Sequence, residues 1–507
     1  MNQAKLIRAV AFLVCVSPVS AQSPGTFIAT GSMATARLFH TATLLIDGRV
    51  LITGGGYAGS PLATTEIYDP VTRAFTPAGV MTAARTGHTA TLLPDGRVLI
   101  VGGDSSMGST ELYDPSKGNF TAAGSLLMAR TGFNATLLAN GKVLITGGVA
   151  GQTQYGYVIG DPEVYDPSTG VFTAAGAYAG SLASLDINVF GFGSTSTLLP
   201  NGTVLFASEP TAQVYDPVSG AFHLSGAMFF TNGSGTSYSP DYIADRTANL
   251  LLSGKVLAAG GEQEDIGRFN DAQLYDPATG VFVPTGSMAK ARSAHTATVL
   301  PDGGVLVAGG ESQTCYSNGT SEGCFYSGTT SSAEVYDPVK GVFTDADNMT
   351  APREFHTATL LNNGDILLAG GAATENADYG ATASAELYHP PSPSYPPTLF
   401  SITGDGTGQG AIWHATTGQL ASPQSPASAG EILSMYVSGL AEGGAIPPQV
   451  AVGGRLTETL FFGDAPGYPG YYQVNFSLPG SLTPGPSVPV RLNYLSRTSN
   501  EITIAVQ

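Results

Sequence analysis

Seven segments of identical length recur along the chain, and no other feature limits its fold as strongly. Each has two short apolar stretches around an Asp-Gly, Asn-Gly or Ser-Gly pair. This pattern predicts an antiparallel hairpin, because glycine supplies the positive φ that a tight turn requires. The copies are HTATLLIDGRVLITGG at His40, HTATLLPDGRVLIVGG at His88, FNATLLANGKVLITGG at Phe133, STSTLLPNGTVLFASE at Ser194, RTANLLLSGKVLAAGG at Arg246, HTATVLPDGGVLVAGG at His295 and HTATLLNNGDILLAGG at His356.

A second block follows each hairpin. It contains a tyrosine and, seven residues later, another aromatic residue, with Asp-Pro after the tyrosine in six units. Asp and Pro initiate turns, so the block predicts a third strand, a turn and a fourth strand. The blocks are EIYDPVTRAF, ELYDPSKGNF, EVYDPSTGVF, QVYDPVSGAF, QLYDPATGVF, EVYDPVKGVF and ELYHPPSPSY.

Apolar residues ending in Gly-Gly, followed by tyrosine and a second aromatic, resemble kelch repeats, with Phe where the kelch pattern usually has Trp. The resemblance covers about residues 27–395, and the units recur every 45 to 61 residues. It implies one four-stranded blade per unit. The expected fold class is therefore all-β, with a seven-bladed kelch-type β-propeller over residues 22–389.

The two ends of this region indicate how the ring closes. FIATGSM at Phe27 resembles FTPAGVM at Phe75, which is a fourth-strand segment. The last unit instead ends in PPSPSYPP, and proline is a poor strand residue. We therefore expect the N-terminal strand to complete the seventh blade, followed by a proline-rich linker at 390–397.

Residues 398–507 lack the repeat and contain separate strand-like stretches such as EILSMYVSGL, GYYQVNFSLP and NEITIAVQ. This pattern predicts a C-terminal immunoglobulin-like β-sandwich. The segment from Asp464 onward is similar to the Solibacter-type C-terminal domain of exported proteins. That resemblance implies a location and no activity.

The first 21 residues have the form of a secretory signal peptide. Lys5 and Arg8 precede the apolar run AVAFLVCV, and Val19-Ser20-Ala21 resembles a cleavage site. We expect a secreted, cell-surface or periplasmic protein. The run is shorter than the ~20 residues of a membrane span, and no later segment is long enough, so no membrane span is expected.

The net charge limits the possible binding partners, and the cysteine content indicates a disulfide. The net charge of −18 argues against nucleic acid, which requires clustered Lys and Arg. After cleavage only Cys315 and Cys324 remain, and an even pair in an exported chain predicts a disulfide.

Arginine and glutamate vary together among the units. In five units, Arg stands three positions before the histidine position and Glu stands two positions before the tyrosine. The other two units lack both: unit four has Gly191 and Gln213 there, and unit five has Ile243 and Gln273. An ion pair within each blade explains this better than one between blades. The expected pairs are Arg37–Glu66, Arg85–Glu111, Arg130–Glu163, Arg292–Glu334 and Arg353–Glu386. The Gly-Gly would form the gap that the arginine crosses.

The histidine position is occupied by His in four units and by Phe, Ser or Arg in the others. A catalytic residue is not expected at equivalent places in separate blades. We therefore interpret these histidines as scaffold residues, and the repeated Tyr-Asp-Pro likewise.

Insertions accumulate in the two connections that open on one face of a propeller, as binding loops on a rigid scaffold would. They lie mainly at 175–193, 227–246, 262–271 and around the cysteines. Aromatic residues there could stack on a sugar or contact a protein, or cover the degenerate blades: Tyr178, Phe190, Phe229, Phe230, Tyr238 and Tyr242. Glu262, Glu264, Asp265 and Asp271 could bind Ca²⁺, although a solvated acidic loop is the favoured interpretation.

A kelch propeller with an immunoglobulin-like C-terminal domain is also similar to galactose-oxidase-type enzymes. Those enzymes hold copper through a Tyr–Cys cross-link, a Tyr-His pair and a C-terminal histidine. Here Phe355-His356 has Phe where the ligand tyrosine would stand, and His414 is a weak candidate for the last ligand. We therefore expect a monomeric, non-catalytic protein without a metal or other cofactor that binds an extracellular glycan or protein. The alternative is a galactose-oxidase-like copper oxidoreductase acting on carbohydrates or alcohols.

Overall fold

The computed structural model describes residues 25–507, apart from short internal segments. The segments outside the description are 58–59, 105, 154–155, 180–193, 209–210, 229, 232–236, 239–243, 264–266, 318–321, 374–379, 392–396, 405, 441–446, 466–469, 481 and 495–496. The predicted signal peptide, Phe190, Phe229, Tyr242, Glu264 and Asp265 therefore lie outside the described residues.

Seven antiparallel sheets form the blades of a propeller; five have four strands, and those of blades 1 and 3 have one additional strand each. Their first strands are Thr41–Leu44, Thr89–Leu92, Thr131–Leu137, Thr195–Leu198, Thr247–Leu250, Thr296–Val299 and Thr357–Leu360. Their second strands are Val50–Thr53, Val98–Val101, Val143–Thr153, Val204–Ser208, Val256–Ala259, Val305–Ala308 and Ile366–Ala369.

The outer half of each blade comes from the tyrosine block. The third strands are Ser60–Asp69, Ser109–Asp114, Glu163–Asp166, Thr211–Asp216, Ala272–Asp276, Ala333–Asp337 and Ala385–His389. The fourth strands of blades 1 to 6 are Ala74–Arg85, Asn119–Ser125, Val171–Ala174, Ala221–Ala227, Val281–Pro284 and Val342–Asp345.

The first strands stand around the axis, and each contacts the first strand of the next blade until the seventh meets the first. In blade 7 the outer strand is the N-terminal segment Thr26–Ala29, where Phe27 lies opposite Tyr388. The ring is therefore closed by backbone hydrogen bonds between the two ends of the propeller region.

Packing explains the repeated residue types. The second strands are continuous apolar runs because they are covered on both sides by neighbouring blades; Val98–Val101, for example, is fully buried. The tyrosine of each block packs on its partner aromatic, with 4.8 Å between the ring centres of Tyr68 and Phe75. The Asp of Tyr-Asp-Pro accepts a backbone N–H two residues on, as Asp69 does from Val71 at 2.8 Å. It therefore shapes the turn.

Additional strands extend the connections at one end of the ring. They are Gly56–Tyr57, Gly156–Ile159, Phe230–Thr231, Ser237–Tyr238, Glu262–Gln263, Gly267–Arg268, Ala291–Ser293, Glu311–Ser317 and Glu322–Thr329. We call this end the insertion face. The tight turns between first and second strands lie at the opposite end, the turn face.

The C-terminal region forms two five-stranded sheets around one apolar core. The first contains Thr398–Leu399, Ile412–His414, Ile432–Ser438, Thr459–Asp464 and Tyr471–Ser477. The second contains Gln449–Val452, Arg455–Thr457, Gly485–Tyr494, Arg497–Thr498 and Ile502–Val506. Assignment of this unit to the immunoglobulin class remains a prediction.

This C-terminal unit rests on the turn face. Leu252, in the turn of blade 5, packs against the C-terminal core. Gly454 approaches the turn of blade 2 so closely that a Cβ there would lie 3.1 Å from the Cα of Asp95. The insertion face is therefore at the end away from the C-terminal unit. The part of the chain described contains no helix of the length and apolarity needed to cross a membrane.

Removing the N-terminal strand should destabilise the propeller. A chain beginning at Gly31 leaves the strand Ala385–His389 as an open sheet edge, and open edges favour aggregation. We expect a lower thermal midpoint and concentration-dependent aggregation, measured by calorimetry and light scattering. A chain beginning at Gly25 retains the strand and is the control; equal midpoints for the two chains would contradict the closure role.

Candidate functional site

The structure brings together all five predicted Arg–Glu pairs, each inside one blade. The five arginines are fully buried, and their glutamates are nearly so. The Nη2 atom of Arg37 lies 3.0 Å from Oε1 of Glu66, and the corresponding distance in Arg85–Glu111 is 2.8 Å. The remaining pairs are Arg130–Glu163, Arg292–Glu334 and Arg353–Glu386.

Each pair is completed by backbone groups. In blade 2, Arg85 Nη1 donates to the carbonyl oxygen of Gly102 at 2.6 Å. The second oxygen of Glu111 accepts the N–H of Thr82 at 2.7 Å. Burial lowers the pKa of Arg37 and of Arg292, and their glutamate partners oppose that shift. The guanidinium Nη atoms and the carboxylates are thus used by the scaffold, which assigns the pairs a structural role; Nε of Arg37 and of Arg292 has no hydrogen-bond partner among the described residues.

The Gly-Gly pairs have a different purpose from the gap that the sequence suggested. Both glycines adopt positive φ, with 57° at Gly54 and 89° at Gly55. A Cβ on Gly54 would lie 2.6 Å from the carbonyl oxygen of Arg85 and 2.8 Å from the His88 ring, both in the next blade. Glycine is therefore required by backbone conformation and by the approach of the neighbouring blade.

A buried methionine four positions before the arginine also belongs to this contact, and the sequence interpretation missed it. The Met81 methyl group would lie 3.1 Å from a Cβ on Gly54. The sequence does contain this pattern: Met33, Met81, Met288 and Met349 each stand four positions before the arginine of their unit. In blade 4 this place is taken by Tyr178.

Tyr178 is therefore part of the scaffold, which corrects its prediction as a ligand-stacking residue. Its ring packs on Phe206 and Phe222, and its hydroxyl accepts the N–H of Gly147 at 2.7 Å. Burial raises the pKa of Tyr178 to about 12. The following residue, Ala179, donates its N–H to Gln213, which keeps in blade 4 the contact that glutamate makes elsewhere.

Blade 5 compensates for its missing arginine. Arg246, at the histidine position, is buried and donates from Nε to the carbonyl oxygen of Gly260 at 3.1 Å. This carbonyl is equivalent to the one that Arg85 reaches in blade 2. Arg246, three positions later in the repeat than the usual arginine, therefore reaches the same backbone acceptor. The sequence pattern did not indicate this, because blade 5 has no arginine at the usual position.

The four repeated histidines link neighbouring blades around the axis. His40 Nε2 lies 3.0 Å from Thr357 Oγ1, so this contact joins blade 1 to blade 7. The equivalent contacts are His88–Thr41 at 3.1 Å, His295–Thr247 at 3.1 Å and His356–Thr296 at 2.9 Å. Burial lowers the pKa of His40, His88 and His295 to about 3. They are neutral scaffold residues at physiological pH.

The position just before the histidine has a left-handed backbone in six blades. Glycine occupies it in blades 2 and 3, whereas blades 1, 5, 6 and 7 place Phe39, Asp245, Ala294 and Phe355 there, with φ between 50° and 53°. Left-handed backbone is unfavourable for residues other than glycine. The rings of Phe39 and Phe355 meet with centres 4.4 Å apart. A half-buried aromatic pair therefore lies at the insertion-face end of the axis.

An acidic cluster lies beside this pair and joins the loops of blades 5, 6 and 7. It consists of Asp245, Glu262, Glu311 and Glu354, with Arg268 among them. Arg268 contacts Glu311 and lies 3.2 Å from Glu262. Ser293 donates to Glu262 at 3.1 Å. Glu262 is thus held in an ion pair, which corrects the prediction of a simply solvated acidic loop.

Glu354 is the most unusual member of the cluster. It is fully buried, and its carboxylate oxygens make no hydrogen bond of full geometry with the described residues, although the Thr329 hydroxyl lies close enough to lower the pKa of Glu354. Burial raises the pKa of Glu354 to about 7, helped by Glu262 and Asp245 and opposed by Thr329 and Arg268. Burial also raises the pKa of Asp245 to about 7, with Glu262 adding to the rise and Arg268 opposing it.

The other predicted site residues are only partly described. Phe230 lies opposite Tyr238 in a short backbone pairing, and Cys315 lies opposite Cys324 in the blade 6 hairpin. The side chains of these four residues fall outside the description, so ligand stacking and the disulfide remain predictions. Among the residues described, no group of three or more His, Cys, Asp or Glu has a metal-binding arrangement.

The comparisons with known proteins identify the fold. Neither a family profile nor a curated protein matches the sequence. A solved structure does: a fungal alcohol oxidase of the AA5 family in complex with copper, at 17% identity and a TM-score of 0.57, with 96% of this chain and all of that chain covered. This likeness shows that the chain has the predicted all-β, kelch-propeller fold of galactose-oxidase-like proteins.

The described residues do not fit the copper site of galactose-oxidase-type enzymes. Phe355 stands where the sequence resemblance places the tyrosine ligand, and a phenyl ring has no donor atom. His356 is directed to Thr296 of the preceding blade, and His414 contacts Glu431 and the Ser425 carbonyl within the C-terminal unit. No step through copper is therefore derived for this chain.

Replacing Glu111 with alanine should cost about 3–5 kcal/mol of unfolding free energy, because it leaves the buried Arg85 charge without a partner. Chemical denaturation measures this loss. Lys117→Ala in the same blade is the control: its ion pair with Asp114 is exposed, so its cost should stay below about 1 kcal/mol. Equal losses for the two variants would contradict a buried pair.

The raised pKa of Glu354 predicts that stability falls as pH rises. The unfolded carboxyl releases its proton near its ordinary pKa of 4.5, whereas the folded one holds it to about 7. Between these values the folded state binds more protons, so the unfolding free energy decreases with pH, by about 3 kcal/mol for one such group.

Glu354→Gln should remove that part of the decrease, which urea titrations at pH 5 and pH 8 would measure. The matched control is Glu501→Gln, because Glu501 lies in an exposed ion pair with Arg491. An unchanged pH dependence in Glu354→Gln would show that Glu354 titrates normally.

Proposed function

We propose that this protein is a non-catalytic binding protein, and that its ligand, a glycan or a protein, docks on the insertion face. One observation carries the proposal: the connections that differ among blades all open on this face, while the C-terminal unit rests on the other. A rigid ring with variable loops at its free end is a common arrangement for recognition. The expected location remains extracellular or periplasmic.

The residues at the axis support binding over catalysis. The repeated histidines are neutral and tied to threonines of neighbouring blades, and the five arginines are occupied by glutamates. The scaffold uses these histidines and arginines, so they are not available as an acid–base pair. The asymmetric features are the aromatic pair Phe39–Phe355 and the acidic cluster, both at the insertion-face end.

A galactose-oxidase-like copper oxidoreductase is the second candidate. The similarity to the copper-containing alcohol oxidase over 96% of this chain favours it more than it favours a binding protein. At 17% identity that similarity concerns the fold alone. The replacement of the ligand tyrosine by Phe355 supports the first candidate.

Copper analysis of the purified mature protein separates the two candidates. We expect no stoichiometric copper after incubation with Cu²⁺ and no peroxide production from primary alcohols or galactose. Copper at one equivalent together with alcohol oxidation would overturn the proposal.

A glycan and protein-ligand array tests the binding face. Binding should be lost when the segment between Ala227 and Arg246 is replaced by a connection of the length found in blade 2. Exchange of the blade 2 turn at Asp95-Gly96 for Asn-Gly, on the turn face, should leave binding unchanged. Loss of binding only in the second variant would place the ligand on the opposite end.

A further inference from the structure

Three successive blades carry different residue types at the same repeat position near the axis. Asp245, Ala294 and Phe355 all stand just before the histidine position, in blades 5, 6 and 7. The N–H of Phe355 donates to the Ala294 carbonyl at 3.1 Å, so neighbouring members of this series are in direct contact. The small Ala294 side chain separates a carboxyl group from the aromatic pair.

The acidic cluster contains more negative charge than its own cation balances. Four carboxyl groups surround Arg268, which gives −4 + 1 = −3 when all are ionised. The described contacts of Arg268 go to Glu262 and Glu311. The fully buried Glu354 has two acceptor oxygens, and the only hydrogen-bond donor that the electrostatics of the described residues place near them is the Thr329 hydroxyl, which does not reach full hydrogen-bond geometry. A buried carboxylate requires a cation or hydrogen-bond donors, so the cluster has capacity for an additional positive group.

Resting on the proposed function, we propose that the insertion-face end of the axis binds an oligosaccharide that carries protonated amino groups. The partly exposed Asp245 accepts the ammonium group of a sugar. The buried Glu354 supplies further negative charge from behind. The pair Phe39–Phe355 offers an apolar surface for the sugar ring, and an aromatic face also attracts a nearby cation.

An amine fits this place better than a metal ion or a neutral sugar. Described residues form no metal-binding group of three or more ligands here. A neutral hydroxyl group would leave the negative charge uncompensated. An ammonium group provides one positive charge and three hydrogen-bond donors, which suits a cluster with more carboxyl groups than Arg268 and Ser293 supply with donors.

The test compares two oligosaccharides that share a β-1,4-linked backbone. The glucosamine tetramer bears ammonium groups, whereas cellotetraose bears hydroxyl groups at the same carbons. Calorimetric titration of the full mature protein at pH 7, where a pKa of about 7 leaves Asp245 and Glu354 partly ionised, should show at least tenfold tighter binding of the glucosamine tetramer. Repeating the titration at 0.5 M salt tests whether the ammonium groups are attracted only to the negative net charge of the protein.

Asp245→Asn should weaken binding of the glucosamine tetramer at least tenfold and leave cellotetraose unaffected. Asparagine tolerates left-handed backbone, so the variant retains the fold. Asp47→Asn is the matched control, since Asp47 lies in a turn on the opposite face where blades 3, 4 and 7 already carry asparagine. Phe355→Ala should weaken both oligosaccharides.

The outcomes distinguish this inference from the proposed function. Equal affinity for both tetramers, or tight binding that Asp245→Asn does not change, would overturn the amine inference and leave glycan binding standing. Binding of other glycans on the array but of neither tetramer would do the same. Binding that 0.5 M salt abolishes equally in wild type and Asp245→Asn is unspecific and also overturns it. Failure of every glycan and protein ligand would overturn both.

Discussion

The propeller depends on the close approach of one blade to the glycine pair of the blade before it, a pair that six of the seven units carry. Gly54 receives the Arg85 carbonyl, the His88 ring and the Met81 methyl group within distances that a side chain would prevent. The same place fixes the carbonyl that the blade's own arginine needs. The left-handed backbone, the carbonyl acceptor of the buried arginine and the contact with the next blade thus meet at one glycine.

The repeats predicted most of the scaffold because equivalent side chains pack in the same way in each blade. The joint loss of Arg and Glu in units four and five predicted that the two residues meet, and the five pairs lie together. Patterns that changed residue type were harder to interpret. Tyr178 fills the space that methionine fills in other blades, and Arg246 binds the carbonyl that the usual arginine binds. Only their contacts in the folded protein reveal these roles.

The candidate site was less predictable for a physical reason. Asp245 and Phe355 stand at equivalent repeat positions and Glu354 precedes Phe355, but the three differ in residue type, so no repeated residue pattern groups them. Their proximity comes from ring closure, and the importance of Glu354 comes from missing hydrogen-bond donors. A sequence records donors and acceptors but does not record which of them are left unpaired after folding.

The strand pairing between Phe27 and Tyr388 also affects the order in which this molecule can be assembled. Six blades consist of residues near one another in sequence, and each can form as its own segment becomes available. The seventh requires two segments separated by 361 residues. The loop entropy of joining them grows only slowly with that length, but nonlocal pairing delays folding. The ring therefore remains open until the end of the repeat region is present, and its interior is sealed in the final folding step.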